Sequence, residues 1–323
     1  MLDALVSFAL LASAITANKY VLRFFDPALF VVIRMLAASM LLLVFVAGRA
    51  LHKKSLSSWL CSMGRAVRAS WITFVVAALA ITTIPALCKA YALKHMLSSK
   101  MATFGCIDPF VTVLLAYALL DERINWLQWL GICCGVVGAL VLAVGSTPLE
   151  DVLGGMWIFS LPEISMLVAV VVGRFGWIQA QKYLKSHHAL SPLEFNGLVM
   201  GVGGLFSIVP ALWSNLQQGS MCMTVPTFDS MILWIAFAYT VIVGNGIAYT
   251  LYATTLKRYS ATFISLASLS VPLFVTIFGF ILFGEQPTWH VFGALIFFAL
   301  GLVLFAQATK RKQKTHAADC CLN

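Results

Sequence analysis

Five ionisable residues stand inside long apolar stretches of this chain: Arg34, Lys89, Asp108, Glu163 and Arg174. A charge at hydrocarbon depth costs several kcal/mol unless it is paired or hydrated, so such positions mark binding sites, relays or pathways. Arg34 lies seven residues past Pro27, roughly 10 Å along a helix at 1.5 Å per residue. Glu163 and Arg174 are 11 residues apart, close to three turns, which puts them on one face roughly 16 Å apart. That is too far for direct pairing, but both can face one cavity. Three bases and two acids suit a ligand carrying both signs, because an apolar ligand would leave them unpaired. Asn18, Tyr91 and Asn245 fall at similar depth and complete the candidate pocket. Trp177, Gln179 and Tyr249 rank behind them, since Trp and Tyr near span ends usually form the interfacial belt.

Each charge also has a structural alternative. Arg174 and Lys89 are near enough to span ends to snorkel toward the headgroups. Arg34 can hold backbone carbonyls or a neighbouring carboxylate. Asp108 precedes Pro109, which lacks a backbone donor and kinks a helix, so its carboxylate can serve local backbone groups. Glu163 follows Pro162 and can cap a helix that restarts there.

The composition sets the medium in which these groups sit. The 323 residues are 61% hydrophobic and 10% charged, against about 25% charged in a soluble domain, and the apolar residues come in long runs. That places the chain in a membrane. The net charge of +9 does not indicate nucleic acid, because the basic residues lie in short loops between apolar runs and not on one folded face. The eight cysteines are scattered without a CxxC pair, so neither a disulfide framework nor a zinc site is expected. The ending Cys320-Cys321-Leu322-Asn323 formally fits a lipidation box, although Asn is an unusual last residue. Met1-Leu2-Asp3 offers no basic n-region, so the first apolar run reads as a retained span and not a cleaved signal.

Ten segments are long and apolar enough to cross a bilayer: 4–22, 28–48, 71–92, 101–120, 125–145, 155–178, 192–213, 230–252, 261–283 and 289–308. The fold expected is an all-α membrane protein. Lys and Arg concentrate after spans two, six, eight and ten, all on one side, which the positive-inside rule makes cytoplasmic. Both termini are then cytoplasmic, in a multi-pass protein of the plasma or inner membrane.

The chain also repeats itself 163 residues apart. Ala17-Asn18-Lys19-Tyr20 returns as Ala180-Gln181-Lys182-Tyr183, Leu93-Lys94 as Leu256-Lys257, Pro109 as Pro272, Glu122 as Glu285, Trp126 as Trp289 and Gly138 as Gly301. The halves are 1–146 and 147–309, followed by a basic tail, 310–323. Five spans per half is odd, so the second half enters from the opposite side. Inverted repeats of this kind are characteristic of secondary transporters, whose related halves open alternately to the two sides. Glu122 and Glu285 end the fourth and ninth spans, where capping of the following helix is the expected role. Gly131/Gly135 and Gly197/Gly201 are GxxxG pairs that permit close helix approach, within or between protomers.

Several residues resemble a known pattern. Asn18-Lys19, Pro27 and Arg34 look like the start of an EamA-type unit of the drug/metabolite transporter superfamily. Tyr91-Ala92-Leu93, Pro109, Glu122, Gly131 and Gly138 look like its end, and Tyr252-Ala253, Pro272, Glu285, Gly293 and Gly301 supply the second copy. The resemblance implies ten helices, cytoplasmic termini and a central cavity reached alternately from each side. It also implies small-metabolite substrates such as amino acids, nucleobase-like compounds, drugs and, in some intracellular bacteria, S-adenosylmethionine. The second copy has Val199 where Arg34 would repeat, so the pocket is asymmetric.

The expected partners are therefore a small-molecule substrate, the bilayer, and a proton or counter-substrate for coupling. No cofactor or metal is implied, and nothing in the sequence sets an oligomeric state. An intramembrane enzyme is disfavoured: all six histidines fall in loops, at span ends or in the tail, and no span carries HExxH or an acid pair at helical spacing. A channel is disfavoured by the lack of a filter-like loop.

Overall fold

The computed structural model describes residues 2–52, 56–120, 124–145, 155–156, 159–186, 190–217, 231–249, 251 and 270–320. Glu122, Lys257, Arg258 and the first part of the ninth expected span lie outside the described residues, as do the side chains of Lys182, Lys185 and the basic tail.

The described chain is nearly all helix. The helices are α1 (Leu2–Leu22), α2 (Pro27–His52), α3 (Leu56–Ala69), α4 (Trp71–Ala77), α5 (Ile84–His95), α6 (Ser98–Phe104) and α7 (Asp108–Leu120). They continue as α8 (Trp126–Val144), α9 (Leu161–Ser186), α10 (Pro192–Phe206), α11 (Ile208–Gln217), α12 (Met231–Tyr239), α13 (Ser270–Phe283) and α14 (Trp289–Cys320). Two segments of π-helix, Ala78–Thr83 and Thr240–Ala248, continue α4 into α5 and extend α12. Among the described residues, seven stretches are long and apolar enough to cross a membrane: Pro27–His52, Trp71–His95, Trp126–Val144, Leu161–Ala180, Pro192–Leu216, Met231–Ala248 and Trp289–Ala308. Val6–Leu22 and Ser270–Phe283 are shorter apolar helices.

The helix starts follow from local chemistry. Asp26 accepts the Ala28 N–H at 3.0 Å, with Pro27 as the first residue of α2. Asn125 with Gln128 and Ser191 with Glu194 form capping boxes at α8 and α10. Three features depart from the sequence expectation. Residues 155–160 were expected to begin a span, but Gly155–Met156 pairs with Phe159–Ser160 as a short antiparallel ribbon, and the helix starts beside Pro162. The basic stretch after α2 contains a helix, α3, whose Met63, Ala66 and Val67 pack onto the Phe74–Tyr183–Phe195 aromatic cluster. The fourth expected span is not continuous: α6 and α7 are joined by a 3₁₀ turn, Gly105–Ile107. Pro109 explains the break, because it cannot donate to the carbonyl of Gly105 four residues earlier and its ring crowds that carbonyl.

Proline also accounts for the first π segment. Pro85 cannot donate to Ile81, and the preceding turn widens; Thr82 and Thr83 hydroxyls both donate to the Ala78 carbonyl, at 2.6 and 3.0 Å. Each hydroxyl shares its single proton with a carbonyl of α10, Thr82 with Val199 at 3.2 Å and Thr83 with Gly203 at 3.1 Å.

Close packing joins residues from the two halves. α8 crosses α14, and α2 crosses α10. At the first crossing Gly131 and Gly301 face each other's carbonyls, and the Phe110 ring lies where a Cβ at Gly135 or Gly301 would stand. At the second, Gly197 and Gly201 admit Leu42, Leu43 and Ser39, whose hydroxyl donates to the Gly197 carbonyl at 2.8 Å. Both GxxxG pairs thus pack within the chain. A Cβ at Gly301 would stand 2.8 Å from Phe110 and 2.9 Å from the Gly131 carbonyl oxygen. Gly301→Val should therefore destabilise the fold by about 1–3 kcal/mol. Gly48→Val, where nothing lies within 4 Å, should have little effect; thermal unfolding in detergent compares the two.

Candidate functional site

The central helices enclose a cavity of about 260 Å³, near the low end of the roughly 300–1,000 Å³ of small-molecule sites. Its apolar wall includes Phe8, Leu11, Met35, Met101, Met166 and Met200. Into this wall project Asn18 from α1, Arg34 from α2, Lys89 from α5, Asp108 from the start of α7, Arg174 and Trp177 from α9, Asn245 from the second π segment, and Tyr249. The backbone irregularities coincide with the polar groups: Asp108 follows the 3₁₀ turn, Lys89 follows Pro85, and Asn245 sits inside a π segment, a feature frequent at functional sites.

The charges are unevenly matched. Asp108 Oδ2 is 2.6 Å from an Arg174 guanidinium nitrogen, and both side chains remain partly open, at 30% and 23% exposure. Arg174 is thus paired with a carboxylate at the cavity and does not run outward as a snorkelling residue would. Arg34 rests over the Phe30 ring, 4.9 Å from its centroid, and its buried Nε has no hydrogen-bond partner. Asn18 Oδ1 and Asn245 Nδ2 are likewise buried and unpartnered. Three orphaned polar atoms in one cavity are unusual, because buried polar groups nearly always find partners.

Two of the expected site residues lie elsewhere. Tyr91 is not part of the cavity wall; its ring packs against His95 one turn later, at 4.4 Å between centroids. Trp177, ranked behind Tyr91 in the sequence, lines the cavity instead. Glu163 does not share the cavity with Arg174. It is 2.6 Å from Lys100, the two side chains being 0% and 1% exposed. Its second oxygen accepts the Ser160 N–H at 2.7 Å, so it caps the restarted helix, and Lys100 also donates to the Gly145 carbonyl at the end of α8. Lys100 gave no signal in the sequence, where it stood at a turn beside a span.

Glu285 also departs from expectation. It does not cap the helix that follows it. It pairs with Lys19 at 2.6 Å and accepts the Ser98 N–H at 3.1 Å, at the start of α6. Lys19 further donates to the Met96 carbonyl at 2.7 Å. Both buried ion pairs therefore join a lysine from residues 1–146 to a glutamate from residues 147–309.

A family model matches residues 1–144 and 160–307, that of the EamA-like transporter family. The chain belongs to the EamA-like transporter family. It is a multi-pass membrane protein, and its family places it among transporters and not enzymes. A transporter of Chlamydia trachomatis named S-adenosylmethionine/S-adenosylhomocysteine transporter is 29% identical over 210 residues, 65% of this chain and 62% of that protein. A chloroplastic WAT1-related protein of Arabidopsis thaliana is 27% identical over 84% of this chain and 61% of its own length. Protein PecM of Dickeya dadantii is 25% identical over 78% and 80%. The matched region spans a little under two thirds of the length of the chlamydial relatives. A solved structure 15% identical shares the fold at a TM-score of 0.59 over 96% of both chains.

The two ion pairs inside this EamA-like fold should respond differently to mutation. Lys100→Ala leaves a fully buried carboxylate uncompensated, at a cost of about 3–5 kcal/mol; the Lys100→Leu/Glu163→Leu double variant should recover most of it. Asp108→Asn, in a cavity that admits water, should leave unfolding temperature within a few degrees of wild type while lowering flux at least several-fold. Detergent unfolding curves and uptake rates on the same preparations separate the two sites.

Proposed function

We propose that this chain is a ten-helix carrier of two inverted five-helix repeats, 1–146 and 147–309, that moves a small polar or zwitterionic, amino-acid-like metabolite across the plasma or inner membrane by alternating access. The observation that carries the reading is the cavity, where Arg34, Asn18 and Asn245 hold unpartnered buried atoms and Asp108 and Arg174 supply both signs. A polar ligand carrying both signs would match these groups from the space between them.

Three features support the inverted arrangement. The two π segments correspond under the 163-residue offset, which carries 78–83 onto 241–246. Helix contacts exchange between halves as a two-fold relation requires: α9 packs on the first π segment while α1 packs on the second, and α1 packs on α13 while α9 packs on α7. The ends of α1, α5, α8 and α13 meet the starts of α6 and α9 through the Lys19, Lys100, Glu163 and Glu285 contacts, as alternate threading places them. With the termini cytoplasmic, those contacts close the outer face of the cavity. Asp108 is the group best placed for proton coupling, and exchange against a counter-substrate is the other route.

The chlamydial relatives favour a specific version, exchange of S-adenosylmethionine for S-adenosylhomocysteine, which offers an amino-acid zwitterion and an aromatic base for Trp177 or Tyr249. In proteoliposomes, uptake of labelled S-adenosylmethionine should saturate and rise several-fold when the lumen is loaded with unlabelled S-adenosylhomocysteine. Saturable uptake of amino acids without that compound would remove the specific version. Large unsaturable currents, or no uptake of any zwitterion, would remove the carrier reading itself.

A further inference from the structure

The charges of the cavity do not balance. Among the described residues, three cationic side chains, Arg34, Lys89 and Arg174, line it with one carboxylate, Asp108. Asp108 is taken by Arg174 at 2.6 Å, so Arg34 and Lys89 remain. Lys89 is half-buried and makes no ion pair or hydrogen bond among the described residues. Arg34 is held over Phe30 and has a bare Nε. Asn245, only 3% exposed, turns an unpartnered amide donor to the same space. Every one of these unmet groups is a donor, and two are positively charged. In a wall otherwise built of Phe, Leu and Met, uncompensated positive charge is costly, and the ligand must supply the compensation. A lone amine or sulfonium would raise that cost.

We propose that Arg34, Lys89 and Asn245 form a carboxylate subsite, and that Asn18, whose buried Oδ1 is the one unpartnered acceptor in the cavity among the described residues, receives an N–H of the same ligand. This rests on the carrier reading above and deepens it: the carboxylate, not the cationic group, is what every accepted substrate has in common. A guanidinium presents its donors in a planar fork that matches a carboxylate, and hydrogen bonds to a charged partner are about twice as strong as neutral ones. The Asp108–Arg174 pair then acts beside the subsite as a neutral, polar wall that tolerates different groups at the other end of the ligand.

The test needs no foldability assumption, because its first arm varies the ligand on the native protein. Uptake of labelled S-adenosylhomocysteine and of labelled methionine into proteoliposomes is measured against unlabelled competitors. The competitors are methionine, its methyl ester, its decarboxylated amine, the des-amino acid and inorganic phosphate. Free methionine should compete at least ~10-fold better than the ester or the amine, as expected for loss of charge-assisted hydrogen bonds. The des-amino acid should keep most of its potency, and phosphate should compete weakly. In Arg34→Met and Asn245→Ala the gap between acid and ester should shrink several-fold, whereas Asp108→Asn should leave it in place. Uptake with acid and ester equally effective overturns the subsite while leaving the carrier reading intact. Phosphate outcompeting the carboxylate also overturns it, and absence of uptake of both probes overturns the subsite together with the carrier reading.

Discussion

Charge placed among apolar helices must be compensated, and this requirement organises the molecule. Lys100 and Glu163 meet it within the chain: both are sealed from solvent, and each also bonds to backbone. Arg34 and Lys89 do not meet it among the described residues. The contrast separates scaffold from site. A buried ion pair adds little net stability by itself, yet removing one partner is expensive. Lys100–Glu163 is therefore a constraint on how the two halves sit, more than a source of stability.

Broken helices carry the site. Pro109 interrupts the fourth expected span and leaves Asp108 at the first turn of α7, where the helix N-terminus favours a carboxylate. Pro85 and the threonines before it widen the helix that carries Lys89. Thr82 and Thr83 tie the widened turn to α10, so the irregularity is held by hydrogen bonds between the halves. Regular helix packing accompanies these breaks, with glycines bringing α8 against α14 and α2 against α10. The arrangement matches a general rule of membrane carriers: irregular backbone is tolerated where it lines a cavity.

Much of this was legible in the sequence, because hydropathy and proline placement report depth and breakpoints. The membrane class, the helix starts at Pro27 and Pro192, and the concentration of Asn18, Arg34, Lys89, Asp108, Arg174 and Asn245 in one region could be read from spacing. What spacing cannot report is the direction in which a side chain leaves its helix relative to helices far away in sequence. Glu163 and Arg174 share a face by periodicity, yet 16 Å along a helix is enough for one to meet Lys100 and the other Asp108. Tyr91 has cavity depth but turns to His95, while Trp177, at a span end, turns inward. Lys100 reads in the sequence as a loop lysine, because a lysine beside a turn normally reaches water; here Ser98–Phe104 carries it back under the end of α8.

The same requirement bears on how such a fold can move. Separating Lys100 from Glu163 would strand two charges that have no access to solvent, so any opening at that end must let water in as the pair parts, or keep the pair intact and hinge around it. Lys19–Glu285 lies at the same end, with both side chains 11–14% exposed and backbone groups of Met96 and Ser98 already in its network; water needs to reach less far to replace it. Asp108–Arg174 is the most open of the three pairs, and its exposure is to the cavity itself. A ligand entering there brings its own charges and can exchange partners with the pair without a dehydrated intermediate. The pairs thus grade from the sealed Lys100–Glu163 to the open Asp108–Arg174, and the open pair at the cavity has the lower electrostatic barrier to change.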